Sequence, residues 1–430
     1  MTTRPSGERT AARAIALGGV AALLPPLWQW GAFRELYWFG DEWDLLSQID
    51  QAGFGPWVWS VFAENFVPLF KVLWGGAVLL SGGSYGVMLA LLWATHALNA
   101  VLFARLLHRA GFPLAAVVAC QLTFGLSVVN IETLAWTVQW SAVLATTFLL
   151  LGLLAVVGRR GAAAALPALV LSSAASALSF SRGVLTGALL ALVQLWPQAR
   201  LRLDLRGRAL GRAAACLLPA AATAGVIAVF ASGNHRSLEG HIPEAATYAA
   251  WYFALNPLHR LAAVDSYGPL TTGLVGAVKL GLLAWGLRRA GAEQRHLLAA
   301  LLAFDLGNSV LLGIGRHHTG LETAISSRYQ YGSLLATLPF LGLAFHAALE
   351  RVPRALHLRR AAAAHLAAGG IAYALHGWSR EAPGFAESRG TVTRRLLHED
   401  PAPPAMGAVP GIPFLATERA KELQRRFGLE

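Results

Sequence analysis

Three carboxylates stand within four positions in the segment Asp41-Glu42-Trp43-Asp44. This cluster follows the first long hydrophobic segment of a chain in which 13% of the residues are charged and 55% are hydrophobic. Membrane proteins keep acidic side chains beside apolar segments mainly where water, a cation or a reaction requires them. We therefore interpret Asp41 and Glu42 as a candidate general base, a metal ligand or both. The structural alternative is an interfacial acid that caps a helix or pairs with an arginine.

Other polar residues lie in or beside later hydrophobic blocks. Glu64 precedes Pro68, a residue suited to the first turn of a helix, so loop structure or capping explains this acid as well as chemistry does. Glu132 is a further acid near aromatic residues and is a candidate to bind a metal ion or to fix an acceptor. His96 and Asn99 are three residues apart on one helical face, where a bond to a neighbouring helix is the favoured role.

Two arginines are isolated at predicted membrane boundaries, Arg182 and Arg328, the second followed by Tyr329. A guanidinium group binds phosphate oxygens through two parallel hydrogen bonds, so these arginines are candidate phosphate ligands. Snorkelling to lipid headgroups is the alternative for each. We favour phosphate binding for Arg328 and leave Arg182 open. Lys279 and Asp305, on adjacent predicted spans, are expected to form a structural salt bridge.

The elements that must position these residues are membrane helices. The 430 residues have a mean hydropathy of +0.50, and their apolar residues form blocks near the roughly 20 residues that cross a bilayer as a helix. We predict an all-α polytopic protein of about eleven transmembrane helices. Their centres fall near residues 22, 95, 121, 147, 170, 190, 222, 279, 304, 339 and 368. Pro68–Leu80 is too short to cross and is predicted as an outer juxtamembrane helix or a re-entrant piece.

The distribution of arginine predicts the orientation. Arginines concentrate in one set of loops, around residues 105–109, 159–160, 200–212, 288–295 and 351–360, which the positive-inside rule places in the cytoplasm. The net charge of +12 is thereby explained by topology rather than by nucleic-acid binding. Residues 1–376 are predicted to form the transmembrane domain, with the amino terminus inside. Residues 377–430 form a short outer tail ending in an amphipathic helix at Ala416–Leu429, interpreted as a membrane-surface helix.

Taken together, these motifs resemble the GT-C superfamily of integral-membrane glycosyltransferases, in particular protein O-mannosyltransferases and bacterial lipid-A aminoarabinose transferases. The likeness covers the first 150 or so residues best. The residues that carry it are Asp41-Glu42, Glu64 to Lys71, His96, Asn99, Asn130 to Trp136 and Ser326 to Tyr329.

The resemblance implies inverting transfer of a sugar from a polyprenyl-phosphate donor to a protein, lipid or glycan acceptor. It also implies an active site on the outer side of a bacterial plasma membrane. Asp41 would be the general base, and Glu42 and Glu132 would shape the acceptor site or hold a divalent metal such as Mg or Mn, with Asp41 and Glu132 as its ligands. Arg328 would bind the donor phosphate. The remaining candidates are Arg182 and Tyr329 for the phosphate and Glu64, His96 and Asn99 for the acceptor.

Two other classes of protein remain open. A transporter or flippase of lipid-linked sugars would distribute intramembrane polar residues along a pathway, often with repeat symmetry. A non-catalytic cell-envelope assembly factor would not need Asp41. The sequence contains no Walker A motif, which argues against an ATP-driven pump.

Overall fold

The apolar blocks form helices almost throughout the part of the chain that the structure describes. The structure is a computed structural model that describes residues 6–157, 165–196, 206–230, 238–264, 268–352, 356–391, 393–394, 397, 408–409 and 412–429. Of the predicted basic loops, residues 159–160 and 200–205 lie outside these ranges, whereas residues 206–212 are described. Besides helices, the described tail contains one antiparallel pair of short strands, β1 (Ala408–Val409) and β2 (Ile412–Ala416). Since nearly all of the other described elements are helices, the predicted all-α class is confirmed.

The first half of the chain supplies twelve α-helices. These are α1 (Ser6–Ala21), α2 (Leu24–Trp28), α3 (Trp30–Phe33), α4 (Asp41–Ala52), α5 (Phe54–Trp59), α6 (Pro68–Leu80), α7 (Tyr85–Arg109), α8 (Leu114–Leu126), α9 (Ile131–Leu134), α10 (Trp140–Val156), α11 (Leu166–Ala177) and α12 (Val184–Leu195). Short 3₁₀ turns precede several of them, including Thr137–Gln139 before α10 and Ser181–Gly183 before α12.

The second half adds longer helices and the tail. These are α13 (Gly207–Phe230), α14 (Ile242–Leu255), α15 (Leu258–Leu261), α16 (Pro269–Arg289), α17 (Ala292–Arg316), α18 (Gln330–Arg351), α19 (Leu356–Ala386) and α20 (Thr417–Phe427). Three 3₁₀ turns, His317–Thr319, Leu321–Ile325 and Ser327–Tyr329, connect α17 to α18. A π-helical turn, Glu387–Thr391, follows α19.

Seven helical segments in the described ranges are long and apolar enough to cross a membrane: Gly7–Trp28, Tyr85–Arg109, Thr137–Val156, Gly207–Phe230, Pro269–Arg289, Ala292–Thr319 and Ser327–Arg351. An eighth is obtained if Leu114–Leu126 and Val128–Leu134, bent by 42°, count as one span. Large apolar side chains on these segments remain exposed, such as Leu270, Leu274 and Val278 along one face of α16. Such a face suits lipid rather than water, and the chain is a polytopic membrane protein.

The predicted number of eleven spans is not confirmed. The centres predicted near residues 170 and 190 fall in α11 and α12, which have 12 residues each. At 1.5 Å per residue each is about 18 Å long, well short of the roughly 30 Å of hydrocarbon. The centre near 368 falls in α19, which is 31 residues long but is not among the helices apolar enough to cross. Among the described residues, length and composition therefore support seven or eight crossings.

The short helix α6 has the bounds that the sequence predicted. Its Lys71 is fully buried, and Nζ donates to the carbonyl oxygens of Trp57 at 2.9 Å and Ser60 at 3.0 Å. The backbone N–H groups of Leu69 and Phe70 donate to the carbonyl of Leu178, at the turn between α11 and α12. Hydrogen bonds thus join α6 to the end of α5 and to the turn between α11 and α12. Such contacts are expected of a short helix that does not cross the membrane.

The predicted carboxy-terminal amphipathic helix is present as α20, but it is packed on the protein. Arg419 and Arg426 both pair with Asp50 of α4, and Gln424 donates to the hydroxyl of Tyr37 at 3.1 Å. Leu423 is fully buried. The helix therefore contacts α4, and its position at the membrane surface stays a prediction. The predicted domain boundary at residue 376 falls inside α19.

The basic loops that the structure describes meet at one end of the helix bundle. Arg109 Nη1 donates to the carbonyl of Leu154 at 3.1 Å, and Gln294 Nε2 donates to the carbonyl of Gly111 at 2.7 Å. The loops bearing Asp41, Glu64, Glu132 and Arg328 meet at the other end of α7, where Tyr85 contacts Glu42; we call this the α4 end. All but a few of those candidates therefore share one end of the molecule.

The predicted Lys279–Asp305 salt bridge is confirmed in the bundle interior. The two groups are 3.6 Å apart and both side chains are fully buried. Lys279 Nζ also donates to the carbonyls of Phe253 and Asn256, while Ser333 Oγ donates to Asp305 at 3.0 Å. Every charge in this network has a partner, which is the condition for a buried ion pair to be tolerated.

Candidate functional site

Asp41 is the first residue of α4 and lies at the entrance to that helix. The preceding residue, Gly40, has φ +58°, and a Cβ there would lie 3.2 Å from the Trp136 ring. Glycine meets both demands, because it adopts positive φ without strain and leaves room for the ring. An acid in the first turn is also favoured by the helix dipole and by the free backbone N–H groups. The local sequence thus fixes the position of the Asp41 carboxylate.

The Asp41 side chain is exposed, yet much of the surrounding space is protein. Burial raises the pKa of Asp41 above its ordinary value, while the positive charge of Arg328 opposes the rise. Asp44 and Glu64 act in the same direction as burial, and Arg316 acts against it. A carboxylate that is open to solvent but partly desolvated has protein on some of its sides, and we call the space that it shares with Arg328, Arg316 and Glu64 the recess. This combination gives a carboxylate more basic than one in bulk water.

Glu42, the adjacent acid, has the opposite environment. It is fully buried and accepts hydrogen bonds from the Phe39 N–H at 2.8 Å, the Thr137 N–H at 2.9 Å and the Thr137 hydroxyl. The Tyr85 hydroxyl lies 3.4 Å from the same carboxylate. Burial raises the pKa of Glu42 to about 7, opposed by these donors. This geometry supports a role in joining the α4 loop to the turn before α10, since no face of Glu42 is open to a substrate.

Glu132 connects two loops at the α4 end. Its carboxylate accepts from Ser326 Oγ at 3.1 Å and from the Arg328 N–H at 3.3 Å. It also forms ion pairs with Arg328 Nη1 at 3.7 Å and with Arg389 Nη2 at 3.2 Å. The Glu132 N–H donates in turn to Ser327 Oγ. The structure thus brings the predicted acceptor residue Glu132 and the predicted phosphate ligand Arg328 into direct contact.

Arg389 is a residue of this site that the sequence analysis missed. Its guanidinium lies 4.4 Å from the ring centroid of Phe385, 4.9 Å from Phe39 and 5.4 Å from Trp136. It reaches Glu132 across 257 positions of the sequence. In a tail that is otherwise polar and basic, one arginine carries no local signal. Only the folded chain reveals this contact.

An open cleft of about 520 Å³ lies beside Glu132. Its walls combine carboxylates and hydroxyls with apolar side chains, and the polar lining includes Glu132, Arg260, Glu322, Ser326, Glu381 and Ser388. Arg260 and Glu381 form an ion pair at 3.0 Å across one wall. The volume falls in the range of small-molecule sites, and the polar lining offers mainly hydrogen-bond acceptors.

Glu64 belongs to the loop before α6 and is not among the residues that line this cleft. It pairs with Arg316 at 3.0 Å, and the Glu64 side chain is 17% exposed. Both groups are close enough to Asp41 to change its pKa. The predicted candidate Glu64 is therefore part of the charged surroundings of Asp41, where its own charge is already balanced by an arginine.

His96 and Asn99 lie in the helix bundle and bind Tyr331 rather than the recess. His96 Nδ1 is 2.9 Å and Asn99 Nδ2 3.2 Å from the Tyr331 hydroxyl. His96 Nε2 is 3.2 Å from the carbonyl of Gly125, which can only accept, so Nε2 carries the proton and Nδ1 accepts from Tyr331. Asn99 also donates to the carbonyl of Val143. These contacts support the helix-bonding role over acceptor binding.

Arg182 and Tyr329 occupy different surroundings from each other. Arg182 is 7% exposed and lies over the ring of Phe180 at 5.7 Å, within electrostatic range of Asp305. It belongs to the interior network and not to the recess. Tyr329 lies under the Arg328 guanidinium at 5.0 Å, which helps hold that arginine in place. Of the three predicted phosphate ligands, Arg328 and Tyr329 are therefore together and Arg182 is apart.

The predicted metal ligands Asp41 and Glu132 are not joined by a third possible ligand in the described part of the chain. Among the described residues there is no group of three or more His, Cys, Asp or Glu side chains arranged to hold an ion. Arg328 acts electrostatically on Asp41 and pairs with Glu132, whose carboxylate also pairs with Arg389. The charge of Glu132 is therefore already balanced by cations, and the Mg or Mn site at Asp41 and Glu132 stays a prediction.

No family model matches the chain, and no curated protein or solved structure is significantly similar to it. The class of protein, a polytopic helical membrane protein, therefore comes from the helices described above. The resemblance to the GT-C superfamily stays a prediction, and any function must be argued from the α4 end.

Proposed function

We propose that the protein is an inverting membrane glycosyltransferase of the GT-C type, which transfers a sugar from a polyprenyl phosphate to an acceptor hydroxyl. The observation that carries the proposal is the recess at Asp41. One exposed carboxylate there has its pKa raised by burial and lies within electrostatic range of Arg328 and Arg316. A general base beside a cationic group is what displacement of a phosphate by a hydroxyl requires.

The chemistry assigns one task to each side of the recess. Asp41 accepts the proton of the acceptor hydroxyl as its oxygen forms a bond to the anomeric carbon. The bond from that carbon to the phosphate oxygen breaks on the opposite face, and the electron pair leaves with the polyprenyl phosphate. Arg328 stabilises the charge of this leaving group through its guanidinium. The raised pKa of Asp41 makes proton transfer from the hydroxyl more favourable.

The surroundings suit a donor that arrives through the bilayer and an acceptor that arrives from water. Arg328 lies at the start of an apolar segment long enough to cross the membrane, Ser327–Arg351, so a phosphate bound there has its lipid chain beside hydrocarbon. The cleft beside Glu132 opens on the same end and presents Glu322 and Ser326 as hydrogen-bond acceptors. We assign the acceptor to this cleft and the α4 end to the outer face of a bacterial plasma membrane.

The test is the variant Asp41→Asn, assayed with purified protein and a labelled polyprenyl-phosphate sugar. Removing a general base lowers the transfer rate by about 10²- to 10⁴-fold, while donor binding stays unchanged because Arg328 is untouched. The matched control is Asp44→Asn, one turn on in the same helix, where the carboxylate accepts from Gln48 at 3.1 Å. Asp44→Asn keeps its transfer activity.

Two outcomes would replace the proposal. Transfer by Asp41→Asn at the rate of the unaltered protein shows that no base acts at this position. Movement of the labelled lipid between leaflets, with no new glycosidic bond, indicates the flippase instead. The buried network around Lys279 and Asp305 does not favour that alternative, since its charges are already paired with each other and with backbone carbonyls.

A further inference from the structure

Arg389 contacts the surroundings of both proposed catalytic groups and has no task in the reaction as described above. It is held in the π-helical turn that follows α19, far along the sequence from Asp41 and Arg328. We propose that Arg389 is a positioning residue of the transfer reaction: it fixes the loop that carries Asp41 and shares Glu132 with Arg328. This inference rests on the proposed function.

The first connection runs through aromatic rings to Asp41. The Arg389 guanidinium lies over Phe39 at 4.9 Å and Trp136 at 5.4 Å. Trp136 Nε1 donates to the Phe39 carbonyl at 3.1 Å, and its ring packs against Gly40. Phe39 and Gly40 are the two residues before Asp41. A cation stacked on these rings therefore stabilises the backbone that sets the direction of the Asp41 side chain.

The second connection runs through charge to Arg328. One carboxylate, Glu132, pairs with two guanidinium groups, at 3.7 Å from Arg328 and 3.2 Å from Arg389. The cluster therefore keeps one surplus positive charge. Arg328 Nε and Arg389 Nη1 have no hydrogen-bond acceptor within the described ranges. Without Arg389, Glu132 would engage Arg328 alone and compete with a donor phosphate for its N–H groups.

The backbone beneath Arg389 is closely packed. A Cβ on Gly390 would lie 2.0 Å from the carbonyl oxygen of Glu35, so only glycine permits this approach. The turn is thereby held against the segment that leads into α4. An arginine on a rigid turn loses little further freedom when it stacks and pairs, which suits a positioning role.

Arg394 provides a matched control on the same segment. It lies over the ring of Tyr37 at 5.2 Å and pairs with Glu35 at 3.2 Å, so it repeats the stack and the ion pair of Arg389. Within the described ranges, the arginines that pair with Glu132 are Arg328 and Arg389 and not Arg394. Loss of Arg394 thus removes the same kinds of interaction without touching the Glu132 cluster.

The experiment compares Arg389→Ala, Arg389→Lys and Arg394→Ala in the purified full-length protein. Arg389→Ala is expected to lower kcat by about 10²-fold, since small misplacement of reacting groups costs on that order. Added guanidinium ion fills the vacated space among the rings and restores part of kcat, whereas sodium chloride at equal ionic strength does not. The kcat of Arg389→Lys is expected to be lower than that of Arg389→Ala with added guanidinium, because lysine lacks the planar group. Arg394→Ala keeps its kcat.

A second readout does not depend on turnover. Carbodiimide labelling of Asp41, followed by peptide mass spectrometry, reports the accessibility of that carboxylate. Arg389→Ala is expected to change the labelling rate, and guanidinium to return it towards the original value. An unchanged kcat and labelling rate in Arg389→Ala overturn the inference, as does a loss that guanidinium fails to rescue.

The two proposals fail separately. If Asp41→Asn transfers sugar normally, the proposed function is wrong whatever Arg389 does. If Asp41→Asn is inactive and Arg389→Ala is not impaired, the proposed function stands and only the role of Arg389 is refuted.

Discussion

The buried carboxylate of Glu42 predicts how the stability of the protein depends on pH. Its pKa is raised to about 7 in the folded chain from an ordinary 4.5, because burial disfavours the charged form. The folded state therefore binds more protons than the unfolded state between these two values. Stability must fall as pH rises through this window.

The size of the effect follows from the same two values. A difference of one pKa unit corresponds to about 1.4 kcal/mol, so the interval from 4.5 to about 7 gives about 3 kcal/mol. The contribution is complete below the lower value and is lost once pH passes the upper one. For a chain of this length 3 kcal/mol lowers Tm by about 3 °C. The donors Phe39 and Thr137 limit the loss, since they favour the ionised form.

The variant Glu42→Gln isolates this contribution because an amide stays neutral at every pH of the assay. Thermal unfolding in detergent, followed by tryptophan fluorescence from about pH 5 to about pH 8, is the measurement. The unaltered protein is expected to lose about 3 °C relative to Glu42→Gln across this range, whatever constant offset the amide introduces. Glu35→Gln, at a partly exposed carboxylate of the same loop, should follow the unaltered protein. Parallel pH profiles for Glu42→Gln and the unaltered protein would refute the reasoning.

Two further predictions test the bundle and its orientation. Lys279→Met leaves Asp305 as an unpaired buried charge and should lower the free energy of unfolding by about 3–5 kcal/mol in chemical unfolding. Adding Asp305→Asn to the same chain should recover most of this loss. Losses of the two single variants that simply add in the double variant would contradict this. Both native cysteines are buried, so single exposed cysteines can report the orientation. With an impermeant maleimide added outside intact cells, Ala52→Cys at the α4 end should react and Ala292→Cys at the basic end should not. The reverse pattern would contradict the proposed orientation.

The sequence predicted the parts of the fold that depend on local pattern. Long apolar blocks gave the membrane class, and the length of Pro68–Leu80 gave a helix too short to cross, which the structure has at those bounds. The amphipathic pattern near the carboxy terminus predicted α20, because a helix shows its buried face in its own sequence. The same pattern could not show that this face packs on α4, since lipid and protein offer similar apolar surfaces.

The misses have the opposite character, because each depends on contacts between distant segments. The turn at Leu178–Gly183 divides an apolar stretch into two short helices, and hydropathy cannot measure how far each one extends. Arg389 resembles any other arginine of the tail until it meets Glu132 and the rings of Phe39 and Trp136. Pairing across the chain, and not residue type, decides which polar groups gather at the α4 end.

The adjacent acids Asp41 and Glu42 show why the candidate site contains fewer reactive groups than its sequence displays. Consecutive residues of an α-helix point about 100° apart, so two neighbouring acids at a helix start cannot both face one recess. Here Glu42 turns inwards to the N–H groups of Phe39 and Thr137, and Asp41 is left exposed. The inward acid holds the loop in place, which is what allows the outward acid to keep a defined position. A single exposed carboxylate at the start of α4, within electrostatic range of Arg328, suits a mechanism with one base and one leaving phosphate.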